Sequence, residues 1–162
     1  MKKEATKEKS KMEPKPNAIV STRYNGEDNA LVVAFASNAS LDPPMLMVGI
    51  VPSRYSYKMI KESGKYVVNI PAKDFQEEFK YLGTVSRRDE DKLKDMNTAD
   101  GDIVDVPILL DCPVNFECTI VDSFQPTEGT HEFFVGKIEK VHCDEEYLNE
   151  DNEIMWDKID LL

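Results

Sequence analysis

The chain has 162 residues, of which 41% are hydrophobic, and this length and composition predict one globular domain with its own core. Its formal net charge of −11 at pH 7 argues against a nucleic-acid partner, because the only concentration of lysines lies in a low-complexity segment, residues 1–15. No apolar run is long enough for a membrane span or a secretory signal, and the three cysteines form no CxxC pair. We therefore expect a cytoplasmic protein with reduced thiols and no contact with membranes.

The first third of the chain has the pattern of paired β-strands. Residues 18–23 are rich in β-forming side chains, and the Asn-Gly dipeptide after them best tolerates the positive φ angles of a tight hairpin turn. A second strand is predicted over residues 29–37. An Asp-Pro-Pro sequence then excludes helix and introduces a third strand over residues 45–51, which we expect to be buried on both faces.

Short helical patterns interrupt the strands in the middle of the chain. One helical spacing follows the Arg-Tyr-Ser turn and ends at Gly64, which fits a C-terminal cap. After a predicted strand over residues 66–70, apolar residues at helical spacing indicate a helix over residues 75–82. Residues 89–96 open with acids and close with lysines, as suits the helix dipole, so a third short helix is predicted there.

The last third of the chain is predicted to be β again. Strands are expected over residues 106–110, 114–121 and 132–141, with a turn-rich loop at 125–130, because apolar and polar residues alternate along the two longer strands. Strands dominate and the helices are short. This favours a mainly β fold, an antiparallel barrel with short peripheral helices, over a doubly wound sheet.

Several kinds of catalytic or binding motif are missing from the sequence. The seven glycines form neither GxGxxG nor GxxxxGK, so no dedicated dinucleotide turn or P-loop is present. His131 and His142 form no HExxH pair, no GxSxG elbow occurs, and no metal site is predicted. The residues alone indicate an acidic, mostly β domain with an anion-binding turn.

Four segments resemble the flavin reductase-like, FMN-binding split-barrel family in order and spacing. They are PNAIVSTRYNGEDNALVVAFASNASLDPPMLMVGI, SRYSYKMIKESGKYVVNIP, YLGTVSRRDEDK and CPVNFECTIVD with THEFFVGKIEKVH. The resemblance covers residues 16–144 and implies a split β-barrel, a Greek-key antiparallel barrel, that binds FMN and works as a homodimer. Residues 1–15 are then expected to be a disordered lysine-rich tail, and residues 145–162 an acidic C-terminal segment.

The resemblance implies that the isoalloxazine ring lies at the end of the second strand and the segment after it. The residues there are Phe35, Ala36, Ser37, Asn38, Ala39 and Ser40. Small residues let the backbone approach a flat ring, and the hydroxyl and amide groups can meet its polar pyrimidine edge. A polar strand end without a ligand is the alternative.

A phosphate site is expected where a basic turn precedes the first helix. Arg54, Tyr55 and Ser56 would offer a guanidinium, hydroxyls and free backbone N–H groups to the FMN phosphate. The resemblance adds Lys92, with Ser86, Arg87 and Arg88 nearby in sequence. The alternative is that these charges form a solvated helix face.

The resemblance also gives His131 a candidate catalytic role, because the matching histidine lies near the flavin in relatives; a structural histidine is the alternative. The leading hypothesis is an NAD(P)H-dependent flavin reductase-like oxidoreductase, in which FMN exchanges electrons with NADH, NADPH or a redox protein. One alternative is a flavoredoxin-like electron-transfer protein that uses no nicotinamide. Another is a dimeric barrel without cofactor.

Overall fold

The computed structural model describes residues 1–162, which form nine strands and two α-helices. The strands are β1 (Ala18–Tyr24), β2 (Glu27–Val33), β3 (Phe35–Leu41), β4 (Pro44–Ile50), β5 (Lys65–Ile70), β6 (Thr98–Asp100), β7 (Pro107–Leu109), β8 (Val114–Phe124) and β9 (Glu132–Cys143). The helices are α1 (Tyr55–Ser63) and α2 (Gln76–Thr84), and short 3-10 turns occur at Lys7–Lys9, Lys73–Phe75, Glu145–Tyr147 and Trp156–Lys158. The mainly β fold with short helices is confirmed. Neither α-helix is long and apolar enough to cross a membrane.

Seven of the strands form one antiparallel sheet in the order β2-β1-β5-β8-β9-β4-β3, and β6 pairs with β7 in a separate ribbon. The predicted Asn-Gly turn joins β1 to β2, with φ angles of 51° at Asn25 and 75° at Gly26. Strands β2 and β3 stand at opposite ends of the strand order, yet only Ala34 separates them in the chain. The sheet must therefore curl until its two edges approach each other, which produces a barrel.

The barrel interior holds the main apolar core, a cluster of fourteen buried residues. Tyr66 is its largest member, and its hydroxyl donates to the carbonyl oxygens of Phe134 at 3.0 Å and Leu46 at 3.2 Å. The ring fits because residue 136 is glycine, where a Cβ atom would lie 2.6 Å from the Tyr66 hydroxyl. Cys118 is a fully buried member of this core, as expected for a packed thiol, and burial raises its pKa to about 12.

The two helices pack on the outside of the sheet. Helix α1 ends at Gly64 as predicted, with a left-handed φ of 71° and its N–H bonded to the Ile60 carbonyl at 2.9 Å. Helix α2 packs on β2 and encloses a second core in which Leu82 contacts residues of β1 and β2 such as Ile19 and Ala30. Both helices therefore border edge strand β2, and the loops at their ends meet beside it.

Two predicted elements are wrong in detail. Residues 89–96 form isolated turns rather than a helix, because Asp91 Oδ1 accepts the N–H of Leu93 at 3.2 Å and so replaces a helical acceptor. The strand predicted over residues 29–37 is two strands, β2 and β3, which separate at Ala34 and leave in different directions. The short strand β6 was not predicted.

The C-terminal segment is held against the barrel. Leu161 forms a bridge with Ala72, and Asn17 Nδ2 donates to the Leu162 carbonyl at 2.8 Å. Ile159 is buried in the main core, whereas Trp156 remains 41% exposed. The segment therefore closes one end of the barrel. The division of the chain at residues 15 and 144 stays a prediction.

Candidate functional site

A cleft of about 190 Å³ lies where edge strand β2, the start of α1 and the loop after α2 meet. None of its fourteen lining residues is a carboxylate, although the chain carries a net charge of −11. Four of them are cations, Arg54, Arg87, Arg88 and Lys92, and none of these takes part in an ion pair. Such a cluster of uncompensated positive charge attracts an anion.

The start of α1 supplies further donors to the cleft. Arg54 is the residue before the helix, and no side chain caps the helix end. The first N–H groups of a helix have no acceptor within the helix, so they can bind a ligand. Asn29 of β2 is 2% exposed and donates through Nδ2 to Ser56 Oγ at 2.6 Å, while its buried Oδ1 has no hydrogen-bond partner. A ligand hydroxyl would satisfy this oxygen.

Lys92 is the most buried cation of the cleft. It is 5% exposed, and its Nζ donates to the Leu82 carbonyl at 3.0 Å. An ammonium group has three donors, so two remain available on the cleft side. Burial, with a smaller effect from the positive charge of Arg54, lowers the pKa of Lys92 to about 8. A bound anion would stabilise the charged form of this lysine.

The two adjacent arginines, Arg87 and Arg88, are positioned by backbone carbonyls, and Arg88 also by an aromatic ring; Arg87 Nε donates to the Asp28 carbonyl at 3.4 Å. Arg88 Nη2 donates to the Ser53 carbonyl at 3.1 Å, and the guanidinium lies 5.6 Å from the centre of the Tyr55 ring. The Tyr55 hydroxyl donates to Glu27 Oε2 at 2.6 Å. Neither a carbonyl group nor an aromatic ring neutralises the charge of Arg88. The Arg88 guanidinium therefore still contributes to the positive potential of the cleft.

All seven residues named for the phosphate site line this one cleft: Arg54, Tyr55, Ser56, Ser86, Arg87, Arg88 and Lys92. Lys92 is not part of a solvated helix face, since it is buried and its segment is not helical. Sequence reasoning missed Asn29, and the only available signal was a polar residue inside an apolar strand. The role of these residues in binding stays a prediction.

Three of the residues predicted for the flavin ring line a second hollow instead. Ala36, Ser37 and Asn38 border a cavity of about 370 Å³ at the end of the barrel that the C-terminal segment covers. The cavity is mostly apolar, with Phe116 and Trp156 among its walls and no charged lining residue. Ala39 and Ser40 line neither hollow, and Phe35 is 43% exposed. This cavity suits a flat, neutral ring.

The two hollows are lined by residues that are close in sequence. The cleft includes Val32 of β2 and the cavity includes Ala36 of β3, and we call the three residues between them the connection. Phe35 lies on this connection, and its ring meets the His131 ring edge to face at a centroid distance of 4.8 Å. The atoms Thr130 Oγ1 and His131 Nδ1 are 2.7 Å apart, which fixes the imidazole and leaves Nε2 without a partner. His131 is therefore near the connection but lines neither hollow.

A separate polar cluster lies on the far strands. Asp102, Glu117 and His142 bring oxygen and nitrogen atoms within 4.8 Å of one another. The Glu117 carboxylate already accepts hydrogen bonds from three backbone N–H groups and from His142, and Asp102 pairs with Lys140. These partners use the groups that a metal ion would need, so we assign the cluster a structural role.

The fold of the chain is similar to that of flavoredoxin from Methanosarcina acetivorans, with a TM-score of 0.90 and 28% identity over 100% of this chain and 86% of that one. An FMN-binding protein from Thermus thermophilus with bound 1-cyclohex-2-enone has a TM-score of 0.82 over 95% of this chain and 84% of its own. Its identity is 21%, so this likeness concerns the fold alone.

A relative in sequence, an uncharacterised protein of Aeropyrum pernix, is 27% identical over 132 residues. The match covers 80% of this chain but 49% of that protein, so the chain spans about half the length of this relative. The structural similarities confirm the split β-barrel expected from the sequence segments. The family model of the flavin reductase like domain matches residues 10–158, and the chain therefore belongs to that family.

Proposed function

We propose that the protein binds FMN and works as an oxidoreductase, with the flavin phosphate in the cationic cleft. The observation that carries this proposal is the set of four unpaired cations beside the open start of α1, without a carboxylate, in a chain of net charge −11. Phosphate needs several charge-assisted donors at once, and Arg54, Ser56 and Lys92 offer them from separate elements. The orphaned Asn29 Oδ1 suits a ribityl hydroxyl.

The flavin ring is assigned to the apolar cavity at Ala36, Ser37 and Asn38. Val32 and Ala36 can lie at most about 13 Å apart along the chain, a span that a ribityl group and a tricyclic ring can bridge. The absence of charge in the cavity suits the neutral ring, and Trp156 and Phe116 offer aromatic surfaces. We assign the phosphate to the cationic cleft and the ring to the apolar cavity because the two hollows differ in polarity in the same way as these two parts of the flavin.

Bound FMN would supply the chemistry of hydride or electron transfer, while the protein supplies binding, orientation and electrostatic tuning. The apolar walls at Leu46 and Val68 would exclude water from one face of the ring. His131 is proposed to act where the ring meets a nicotinamide or another donor, because its Nε2 is free to donate or accept a proton. Its ring contacts that of Phe35, which belongs to the segment between the two hollows.

A nicotinamide-dependent reductase is the leading form of this function, and an electron carrier is the second. The similarity to flavoredoxin from Methanosarcina acetivorans supports the carrier, in which a redox protein replaces NADH or NADPH as electron donor. The phosphate donors of the cationic cleft support FMN, which carries a phosphate, over riboflavin as the flavin. The third alternative, a dimeric barrel without cofactor, offers no reason for the cation cluster of the cleft or for the unpartnered amide oxygen of Asn29.

We also infer a homodimer in the cytoplasm. Strands β2 and β3 are sheet edges, and the exposed rings of Phe35 and Phe124 flank Phe133 on one surface. A partner subunit would cover these rings and close the site, since symmetric pairing is the common solution for such surfaces. The three cysteines are free thiols, which fits a reducing compartment.

Titration with FMN and riboflavin tests the proposal. The wild-type protein is expected to bind FMN with quenching of flavin fluorescence. The double variant that combines Arg54→Ala with Lys92→Ala should bind FMN roughly a hundredfold more weakly. Riboflavin has no phosphate, so its affinity should change only a few-fold. The exposed Lys137→Ala serves as the control because Lys137 lines neither hollow. Equal losses for both ligands would contradict the phosphate assignment.

Steady-state oxidation of NADH or NADPH with added FMN then separates the reductase from the carrier. A reductase oxidises one of the nicotinamides with flavin as acceptor, whereas a carrier binds FMN and leaves both unchanged. A protein that binds neither FMN nor riboflavin at high micromolar concentration would remove the flavin hypothesis.

A further inference from the structure

The segments before β1 and after β9 meet at the rim of the apolar cavity. Pro16 lines this cavity together with Trp156 and Leu161 of the C-terminal segment. The next residue, Asn17, donates through Nδ2 to the Leu162 carbonyl at 2.8 Å, which ties the entry of β1 to the C-terminal segment. Residues 1–15, which we call the basic tail, therefore leave the barrel at the rim of the cavity.

These two segments carry opposite charges. The basic tail holds six lysines and three glutamates, whereas residues 144–162 hold eight acidic residues and one lysine. All eight acidic residues are exposed, and only Asp160 forms an ion pair, with Lys73. In the basic tail the only ion pair joins Lys7 to Glu8. Because the remaining charges are unpaired and opposite in sign, the two segments attract each other at low salt.

The basic tail also carries an apolar side chain within reach of the cavity. Met12 is 93% exposed and lies four residues before Pro16. Four residues of extended chain span at most about 14 Å, so Met12 can return to the rim from which the tail departs. The cavity is mostly apolar, and its Trp156 ring is 41% exposed. A flexible thioether packs well against such a ring.

Nothing in the barrel holds the basic tail away from the cavity. Its hydrogen bonds all lie between Thr6 and Ser10, and every residue of the tail is exposed. The tail can therefore move onto the C-terminal segment without the loss of a contact to the sheet. The free-energy cost of the move is the conformational entropy of the residues that become ordered.

We propose that the basic tail is a strap that closes the apolar cavity while no flavin is bound, with Met12 against Trp156 and the lysines on the acidic C-terminal segment. The inference rests on the proposed flavin function and extends it, because the strap competes with the flavin ring for the cavity. Tethering at Pro16 gives the strap an effective concentration in the millimolar range at the rim. The entropy cost of ordering keeps the closure weak, so a bound flavin displaces the strap.

Acrylamide quenching of Trp156 fluorescence tests the strap on the full chain without any flavin, because Trp156 is the only tryptophan. The tail variant combines Lys7→Glu, Lys9→Glu and Lys11→Glu. At about 0.01 M salt the quenching constant of wild type should be roughly twofold lower than that of the tail variant, because the strap shields the ring. At about 1 M salt the two constants should converge, since the Debye length falls from about 30 Å to about 3 Å.

The matched control changes the net charge equally on the barrel. It combines Lys80→Glu, Lys94→Glu and Lys137→Glu, three exposed lysines without ion pairs that line neither the cavity nor the cleft. This control should have the quenching constant of wild type. Met12→Leu should also keep it, whereas Met12→Asp should expose Trp156, because a carboxylate does not enter an apolar cavity.

Riboflavin titration then measures the effect of the strap on the proposed ring site. Riboflavin is neutral and has no phosphate, so the charges of the tail affect its binding through the strap and not through the cationic cleft. At low salt the tail variant should bind riboflavin roughly threefold more tightly than wild type and the matched control. At high salt the three affinities should agree.

The outcomes separate the strap from the flavin function. Equal quenching constants in wild type and the tail variant at low salt would overturn the strap, and FMN binding would still support the flavin function. A quenching constant that varies with protein concentration would also overturn it, because the tail of a second copy would then cover the cavity. If the tail shields Trp156 but neither FMN nor riboflavin binds, the proposed function fails, and the competition with flavin is overturned with it.

Discussion

Glu117 Oε2 of strand β8 lies 2.5 Å from His142 Nε2 of strand β9, and the carboxylate is fully buried. Its oxygens also accept the backbone N–H groups of Asp102, Ile103 and Val104 at 3.1, 2.8 and 2.9 Å. Burial alone would raise the pKa of Glu117, but the hydrogen bonds from His142 and the backbone outweigh it, and the pKa is lowered. This carboxylate therefore holds the loop before β7 against the sheet.

Glu117→Gln should destabilise the protein by about 1.5–3 kcal/mol, because an amide cannot accept all four hydrogen bonds of the buried carboxylate. Urea unfolding at pH 7 measures this loss, with the exposed Glu139→Gln as control. A group whose folded pKa is lowered contributes stability above its unfolded pKa, about 4.5, and loses it as the pH falls through the folded value. The difference in the free energy of unfolding between wild type and Glu117→Gln should therefore narrow below pH 4.5. A difference that stays constant with pH would contradict the role assigned to the ionised carboxylate.

Affinity for FMN should fall as the pH rises above about 8, where unliganded Lys92 loses its proton. The bound phosphate stabilises the charged lysine and raises its pKa, so binding takes up a proton in this range, and affinity drops roughly tenfold by pH 9–10. Calorimetry or fluorescence titration between pH 7 and 10 measures the profile. The Lys92→Met variant should bind FMN weakly, and its affinity should depend less on pH. If the pH dependence of affinity is unchanged in this variant, another group than Lys92 is responsible for it.

The grouping of residues in the cationic cleft was predictable from the sequence because much of it is local. A basic turn directly before a helix places Arg54 and Ser56 beside free N–H groups wherever the helix packs. The contribution of Asn29 was not predictable, since its hydrogen bond to Ser56 depends on how α1 packs against β2. The predicted helix over residues 89–96 failed for a local reason, the Asp91 side chain competing for the Leu93 N–H.

The cavity near Ala36 illustrates a second limit of sequence reasoning. The segment from Phe35 to Ser40 was predicted to approach the flavin as one unit, but in the structure only Ala36, Ser37 and Asn38 line the apolar cavity. Ala36 also packs against the core, while the ring of the half-exposed Phe35 meets His131. Trp156 reaches the same cavity from the other end of the chain, and no local pattern could place it there.

Trp156 is the only tryptophan of the chain and lines the proposed ring cavity, so its fluorescence should report flavin binding. Riboflavin or FMN should quench its emission by roughly half or more, because a stacked aromatic ring lies within contact distance. Ala36→Leu should fill part of the cavity and reduce both the quenching and the affinity for riboflavin. If FMN binds and the emission of Trp156 is unchanged, the flavin ring does not lie in this cavity.

The final prediction concerns the aromatic surface beside β3, where the rings of Phe124 and Phe133 stack at a centroid distance of 5.5 Å. Phe124 is 48% exposed at the end of β8, and a charge at this position would have to be buried in any interface that covers the rings. Phe124→Asp should therefore convert the proposed dimer to a monomer of 18.5 kDa in light scattering. It should also weaken flavin binding, since the partner would no longer cover the site.

Leu110→Asp is the matched control for this experiment, because Leu110 is 45% exposed and lies in the turn after β7, outside the strands that carry the aromatic rings. It should leave both the oligomeric state and the flavin affinity unchanged. A wild-type protein that is monodisperse at 18.5 kDa and still binds FMN tightly would contradict the dimer, because one chain would then complete the site without a partner. If both variants stay dimeric, the subunits pair through another surface, for which the open edges of β2 and β3 are the next candidates.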